Sequence, residues 1–179
     1  MKKKLTVSLA VLALVACMTA GATLAWLTAK TSSVTNTFTY GDINIELKET
    51  TGESYKMVPG NKITKDPKVT VKANSEACWL FVKVEKSTNF DEFMTYGIAD
   101  GWTKLDGVDG VYYREVASPT DDTVFDALKD NSVTVKTTVT KEQFNSLTST
   151  TMPTLTFTAY ACQKDNVSTA TQAWNLVNE

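Results

Sequence analysis

Apolar and polar residues alternate with a period of two in five short stretches of the chain. These are Ile43, Ile45 and Leu47; Val69 and Val71; Cys78, Leu80, Val82 and Val84; Val133 and Val135; and Leu155, Phe157, Ala159 and Ala161. Side chains along a strand point to opposite faces in turn, so each stretch predicts a strand with one face on a core. Turn-forming residues lie between them: VPGN at 58–61 and SPTDD at 118–122, where Pro presets φ and Gly supplies the turn angles. Short strands separated by such turns predict an all-β antiparallel sandwich. CWLFVKVE at 78–85 is apolar on both faces near its start, which predicts a central strand covered on both sides.

Three places depart from the period of two. Residues 87–110 carry Gly97, Gly101, Gly107 and Gly110 among aromatics and read as a long excursion with a short helix at 90–94. TKEQFNSL places Thr140 and Gln143 at the spacing of a capping box, with Phe144 and Leu147 on one side. TATQAWNLVNE repeats that spacing in Thr169 and Gln172, followed by Ala173, Trp174 and Val177. Both predict short peripheral helices packed on the sheets. No repeat or linker marks a second domain after the N-terminal region.

The start of the chain follows other rules. Lys2, Lys3 and Lys4 precede a run with no charged residue from 5 to 29, the layout of an export signal. Retention of that run as an anchor is one outcome, since it exceeds the roughly 20 residues that span a bilayer. Lipid attachment at Cys17, after Leu14-Val15-Ala16, is a second. Cleavage is the third, and the expected one: Thr23 and Ala25 put small side chains at the positions a signal peptidase reads, with the cut before Trp26. Residues 1–25 then form a signal peptide, 26–40 a mature N-terminal segment and 41–179 the sandwich domain.

The stretch ATLAWLTAKTSSVTNTFTYGDINIELKE resembles the export signal and first strand of the TasA/camelysin proteins, which SipW-type signal peptidases mature in Gram-positive bacteria. The shared features are the small-residue site Thr23-Leu24-Ala25, a Thr/Ser/Asn-rich stretch at 30–35, Asn36-Thr37-Phe38 with Gly41, and the alternating Ile43, Ile45 and Leu47. Weaker echoes follow in MVPGNKITKDPKVTV, CWLFVKVE and PTLTFTAYACQKD. Trp26-Leu27 departs from the family by being more apolar just past the cut. The resemblance implies a jelly-roll-like sandwich, secretion to the cell surface or biofilm matrix, and self-association into fibres, with other matrix or cell-surface proteins as further partners. It also implies that the mature N-terminus is a donated strand, whose candidate residues are Trp26, Leu27, Val34 and Phe38. The competing expectation for 26–35 is a tail that pairs with nothing. Camelysin-like proteins are also grouped as metallopeptidases, so the resemblance carries a secreted metallopeptidase as one alternative function; a monomeric adhesin or lipoprotein is another.

Composition narrows the chemistry. The chain contains no histidine, which excludes a Ser-His-Asp triad, a Cys-His nucleophile and a helical His-Glu-x-x-His zinc site. The expectation is therefore a protein with no catalytic residues, cofactor or resident metal. DGVDG at 106–110 and Asp121-Asp122 offer oxygen ligands for calcium, but Asp-Gly pairs chiefly mark turns. Net charge is −2, or −5 once the three N-terminal lysines are removed, and Arg114 is the only arginine. Without a basic cluster the chain is not expected to bind nucleic acid. After cleavage two cysteines remain, Cys78 and Cys162, both in predicted strands. Export permits a disulfide between them; the alternative is two separate buried thiols.

Overall fold

The computed structural model describes residues 41–52 and 55–178. Ten strands and three short helices follow one another along this stretch. The strands are β1 Ile45–Lys48, β2 Lys62–Thr64, β3 Lys68–Val71, β4 Cys78–Lys86 and β5 Met94–Ile98. They continue as β6 Thr103–Lys104, β7 Val111–Val116, β8 Thr123–Asp126, β9 Leu128–Val135 and β10 Leu155–Gln163. The helices are α1 Phe90–Phe93, α2 Lys141–Asn145 and α3 Ala170–Val177.

All pairings are antiparallel, in three ladders ordered β1-β3-β8, β2-β9-β5 and β10-β4-β7-β6. The first two ladders belong to one layer. Pro67 interrupts β2 and β3, because its nitrogen has no proton for a ladder. The Lys65 amide donates to the Asn131 carbonyl at 2.9 Å, and the Ala127 amide donates to the Pro67 carbonyl at 2.9 Å, carrying the pairing across the break. One layer therefore runs β1, β2/β3, β8/β9, β5, and the other is β10-β4-β7-β6. This is the antiparallel sandwich expected from the alternation; the strand order does not by itself establish jelly-roll wiring.

The five expected strands are β1, β3, β4, β9 and β10. Their alternation is reproduced as burial: Leu80 and Val82 of β4 are fully buried between the layers, with Val69 and Val71 of β3 opposite them. The other face of β4 is buried as well. Trp79 and Phe81 pack under Ala173 and Trp174 of α3, so β4 is covered on both sides, as its sequence predicts.

The 87–110 segment is more ordered than the expected excursion. α1 ends at Phe93, and Met94 already begins β5, which pairs with β9; β6 then pairs with β7. Gly110 is required where this segment returns. Its φ is +71°, and a Cβ there would lie 2.4 Å from the Val84 carbonyl oxygen. Both predicted helix starts are present. Thr140 and Gln143 complete a reciprocal capping box. At α3 the Gln172 amide donates to Thr169 Oγ1 at 3.2 Å, but the Gln172 side chain accepts from Ser168 instead of Thr169. At 58–61 the Asn61 amide donates to the Val58 carbonyl at 3.0 Å, with Gly60 at φ +80°, the geometry of a type II turn after Pro59.

Candidate functional site

Along one flank the edge strands β1 and β10 come close together without pairing. Among the described residues β10 pairs with β4 alone, and β2 pairs with β9 alone. Side-chain burial shows the consequence. Leu80, Val82 and Val84 of β4 are buried, yet Leu155, Phe157, Ala159 and Ala161, which pair with the inner face of β4, are only half-buried. Across the layers Ile43, Ile45 and Leu47 are half-buried too, although β3 beside them is buried at Val69 and Val71. Apolar side chains that the alternation assigns to a core thus remain partly in water on both edges of the same flank.

The flank deepens into a groove of about 770 Å³ toward the start of β10. Leu47, Ile63, Phe90, Leu155 and Phe157 line it, together with Met57, Met94 and Met152. The only other methionines in the chain are Met1 and Met18. Unbranched, polarisable methionine side chains adapt to varied apolar surfaces, so their gathering here suits an occupant of irregular shape.

The groove exists because β1 stops early. Beyond Lys48 the chain is held at the junction of β2 and β3 by Asp66: the Thr50 and Thr51 amides donate to Asp66 Oδ1 at 2.9 and 3.1 Å, and the Thr50 hydroxyl donates to Oδ2 at 2.6 Å. These bonds, those from Thr50 first, lower the Asp66 carboxyl from its ordinary 3.8 to about 2. A carboxyl depressed on folding contributes stability that is complete above its unfolded value and is lost as pH falls through the folded one. Asp66→Asn is therefore expected to melt at a lower temperature than the parent at pH 7, with the difference shrinking between about pH 4 and pH 2. A difference that persists unchanged at pH 2 would remove Asp66 from this role.

One ion pair sits in the groove wall. Lys65 Nζ donates to Glu49 Oε1 and Oε2 at 2.8 and 2.7 Å, and lies 5.4 Å from the Tyr55 ring centre and 5.7 Å from that of Phe157. The pair neutralises its own charges, and Lys48, Tyr55, Thr154 and Thr156 add further polar groups to a lining that is apolar elsewhere.

No family model, curated protein or solved structure matches the chain. The site is read from its own residues.

Thr23, Ala25, Trp26, Leu27, Val34 and Phe38, the residues assigned to cleavage and to the donated strand, lie outside the described residues. The chain enters the domain at Gly41, beside Glu76 and Gln163 at the end of β10. The groove is at the other end of that strand, about 26 Å away at ~3.3 Å per residue.

The structure does not bring Cys78 and Cys162 into a disulfide; both thiols are free and buried. Cys78 pairs with Gln163 and Cys162 pairs with Trp79 across the β4/β10 ladder. Directly paired residues share a face, so Cys78 faces the layer opposite while Cys162 faces α3. Burial raises the Cys78 thiol to about 11 and raises Cys162 as well. Neither is expected to react rapidly with a thiol reagent at pH 8 in the folded protein, and both are expected to label on unfolding without reductant. Loss of that labelling would mean a disulfide.

Two of the four carboxylates considered for calcium have lysine partners. Asp122 accepts from the Ala73 amide at 2.9 Å and from Lys72 Nζ at 3.1 Å, and Asp109 lies 3.5 Å from Lys104. Among the described residues no three acidic or cysteine side chains gather at one point. The groove is the feature that sequence reasoning missed. Its lining comes from five separated stretches, and only the methionines hint at it.

Proposed function

We propose that this is a secreted structural protein of the cell surface or biofilm matrix, whose jelly-roll-like sandwich is completed by a strand from another copy. The observation that carries the reading is this flank, where Leu155, Phe157, Ile45 and Leu47 stay half-exposed beside strand edges that are unpaired among the described residues. Such an edge offers unpaired N–H and C=O groups, and an added strand satisfies them while covering the apolar row.

The strand proposed to fill it is residues 26–40 of a neighbouring copy. In an extended strand Val34, Phe38 and Tyr40 fall on one face with Trp26, which matches an apolar groove. Fifteen extended residues reach about 50 Å, enough to leave Gly41 at one end of the domain and lie along the whole of a neighbour's β10. Because donor and acceptor lie at opposite ends of β10, the contact is head to tail and propagates into a filament. The export-like N-terminus and its resemblance to TasA/camelysin proteins support the same reading, with cleavage before Trp26 freeing the donor.

The test compares two secreted forms by electron microscopy. A chain beginning at Trp26 is expected to form fibres; one beginning at Asn36 is expected to stay folded and monomeric. Equal polymerisation by both would sink strand donation, and no fibres from the longer form in any condition would count against the matrix role.

A further inference from the structure

The opposite flank of the sandwich holds the chain's only arginine in an unusual state. Arg114 pairs with Leu80, which places it on the inner face of β7, pointing between the layers. Its guanidinium carbon lies 3.9 Å from the ring centre of Phe125 and 5.3 Å from that of Trp102. The two rings are themselves edge to face at 6.4 Å, and Trp102 is fixed by donating from Nε1 to the Asp126 carbonyl at 2.8 Å. The guanidinium is thus clamped by aromatic rings on rigid strands.

It meets no anion among the described residues. Among the described residues nine lysines lie within 4.0 Å of a carboxylate, whereas Arg114 meets none. Arg114 Nε is out of reach of water and has no hydrogen-bond partner. Desolvation without a counter-charge pulls its pKa below the ordinary arginine value. A cation held this way is costly unless something compensates it, and stacking on rings offsets only part of the loss.

The residue beside its outer nitrogens has no side chain. Gly101 stands against them with φ +86°, and a Cβ built there would come within 3.0 Å of Nη2. Any side chain at 101 would both strain the turn and crowd the fork that a carboxylate would bind.

We propose that Arg114, Trp102 and Phe125 form a receptor for a carboxylate. The planar fork binds a carboxylate through two parallel N–H donations, and the aromatic walls strengthen those bonds by excluding water. Lysine would not serve in the same way, since its point charge neither stacks as a plane nor donates in parallel. The carboxylate comes either from a free small acid or from an acidic polypeptide. The site is independent of strand donation, which uses the other flank.

A single arginine makes the test clean, because 15N-labelled protein shows one arginine Nε–H resonance. Titration with acetate, hexaglutamate and hexaglutamine, following that resonance and the Gly101 amide, separates the cases. A saturable shift with acetate and hexaglutamate alike assigns the site to free acids; a shift with hexaglutamate at concentrations at least tenfold lower assigns it to acidic polypeptides. Hexaglutamine capped as its C-terminal amide is expected to do nothing. Arg114→Lys keeps the charge, and is expected to weaken the response at the Gly101 amide at least tenfold while the protein remains folded by circular dichroism. No shift with either acid, or an undiminished Gly101 response in Arg114→Lys, overturns the proposal. The measurements on unaltered protein decide the matter even if the variant fails to fold. With a net charge of −2 the protein repels polyanions in general, so a positive result is specific.

Discussion

Trp174→Ala is expected to destabilise the domain by about 3–5 kcal/mol, the usual cost of deleting a buried Trp or Phe side chain. For a domain of this size that corresponds to a fall of roughly 6–20 °C in Tm. Trp174 is 2 % exposed and its ring lies 5.4 Å from Phe81 and 5.2 Å from Tyr160. It is the largest side chain by which α3 covers the outer face of β4 and β10. Removing it leaves a cavity between helix and sheet and exposes Phe81, which is otherwise fully buried. Leu176 on the same helix is 61 % exposed and provides the control, since Leu176→Ala is expected to change stability by no more than about 0.5 kcal/mol. Equal effects of the two substitutions would mean that α3 does not belong to the core.

Ile63→Lys is expected to abolish assembly without unfolding the domain. Ile63 is half-buried in the short edge strand β2 and lines the groove. A lysine there can reach water from an edge, but it puts a charge where an incoming strand would bury apolar side chains, the means by which natural edges avoid pairing. The strand-donation reading makes a sharper demand when this variant is mixed with the chain beginning at Asn36. The variant keeps a donor segment and loses the acceptor; the shortened chain keeps the acceptor and loses the donor. Each alone is expected to be monomeric by sedimentation, and an equimolar mixture is expected to give dimers that grow no further, because one donor and one acceptor are used up. Fibres from Ile63→Lys alone would show that the groove is not the acceptor. A mixture that remains monomeric would show that donor and acceptor have been misassigned.

Strands whose two faces differ sharply could be read from the chain, and those with mixed faces could not. β1, β3, β4, β9 and β10 each carry a row of aliphatic residues on one face, and the period of two survives in the sequence. β7 was hidden because its inner face carries Arg114 and its outer face Tyr113, so both faces look amphipathic until the aromatic clamp and α3 are in place. β5 was hidden by Gly97 inside it and α1 directly before it. The helix starts were legible because a cap depends on residues three apart, with no distant contact needed. Asp66 gave no local sign of its role, since its partners Thr50 and Thr51 lie on the far side of a turn.

The sequence by itself determined the layered all-β class, the covered strand β4, the helix caps, and the absence of histidine chemistry, because these depend on residue type and on spacing of a few positions. Tertiary structure alone decided which faces meet and which edges stay open. The register of β4 against β10 separated the two cysteines, although both stand in strands that pair directly. The early end of β1 opened the groove, and the packing of β7 against β8 isolated Arg114 from every described carboxylate. The physical reason is common to all three: a strand's own sequence fixes its two faces, whereas its neighbours and their register are set by contacts between residues far apart in the chain.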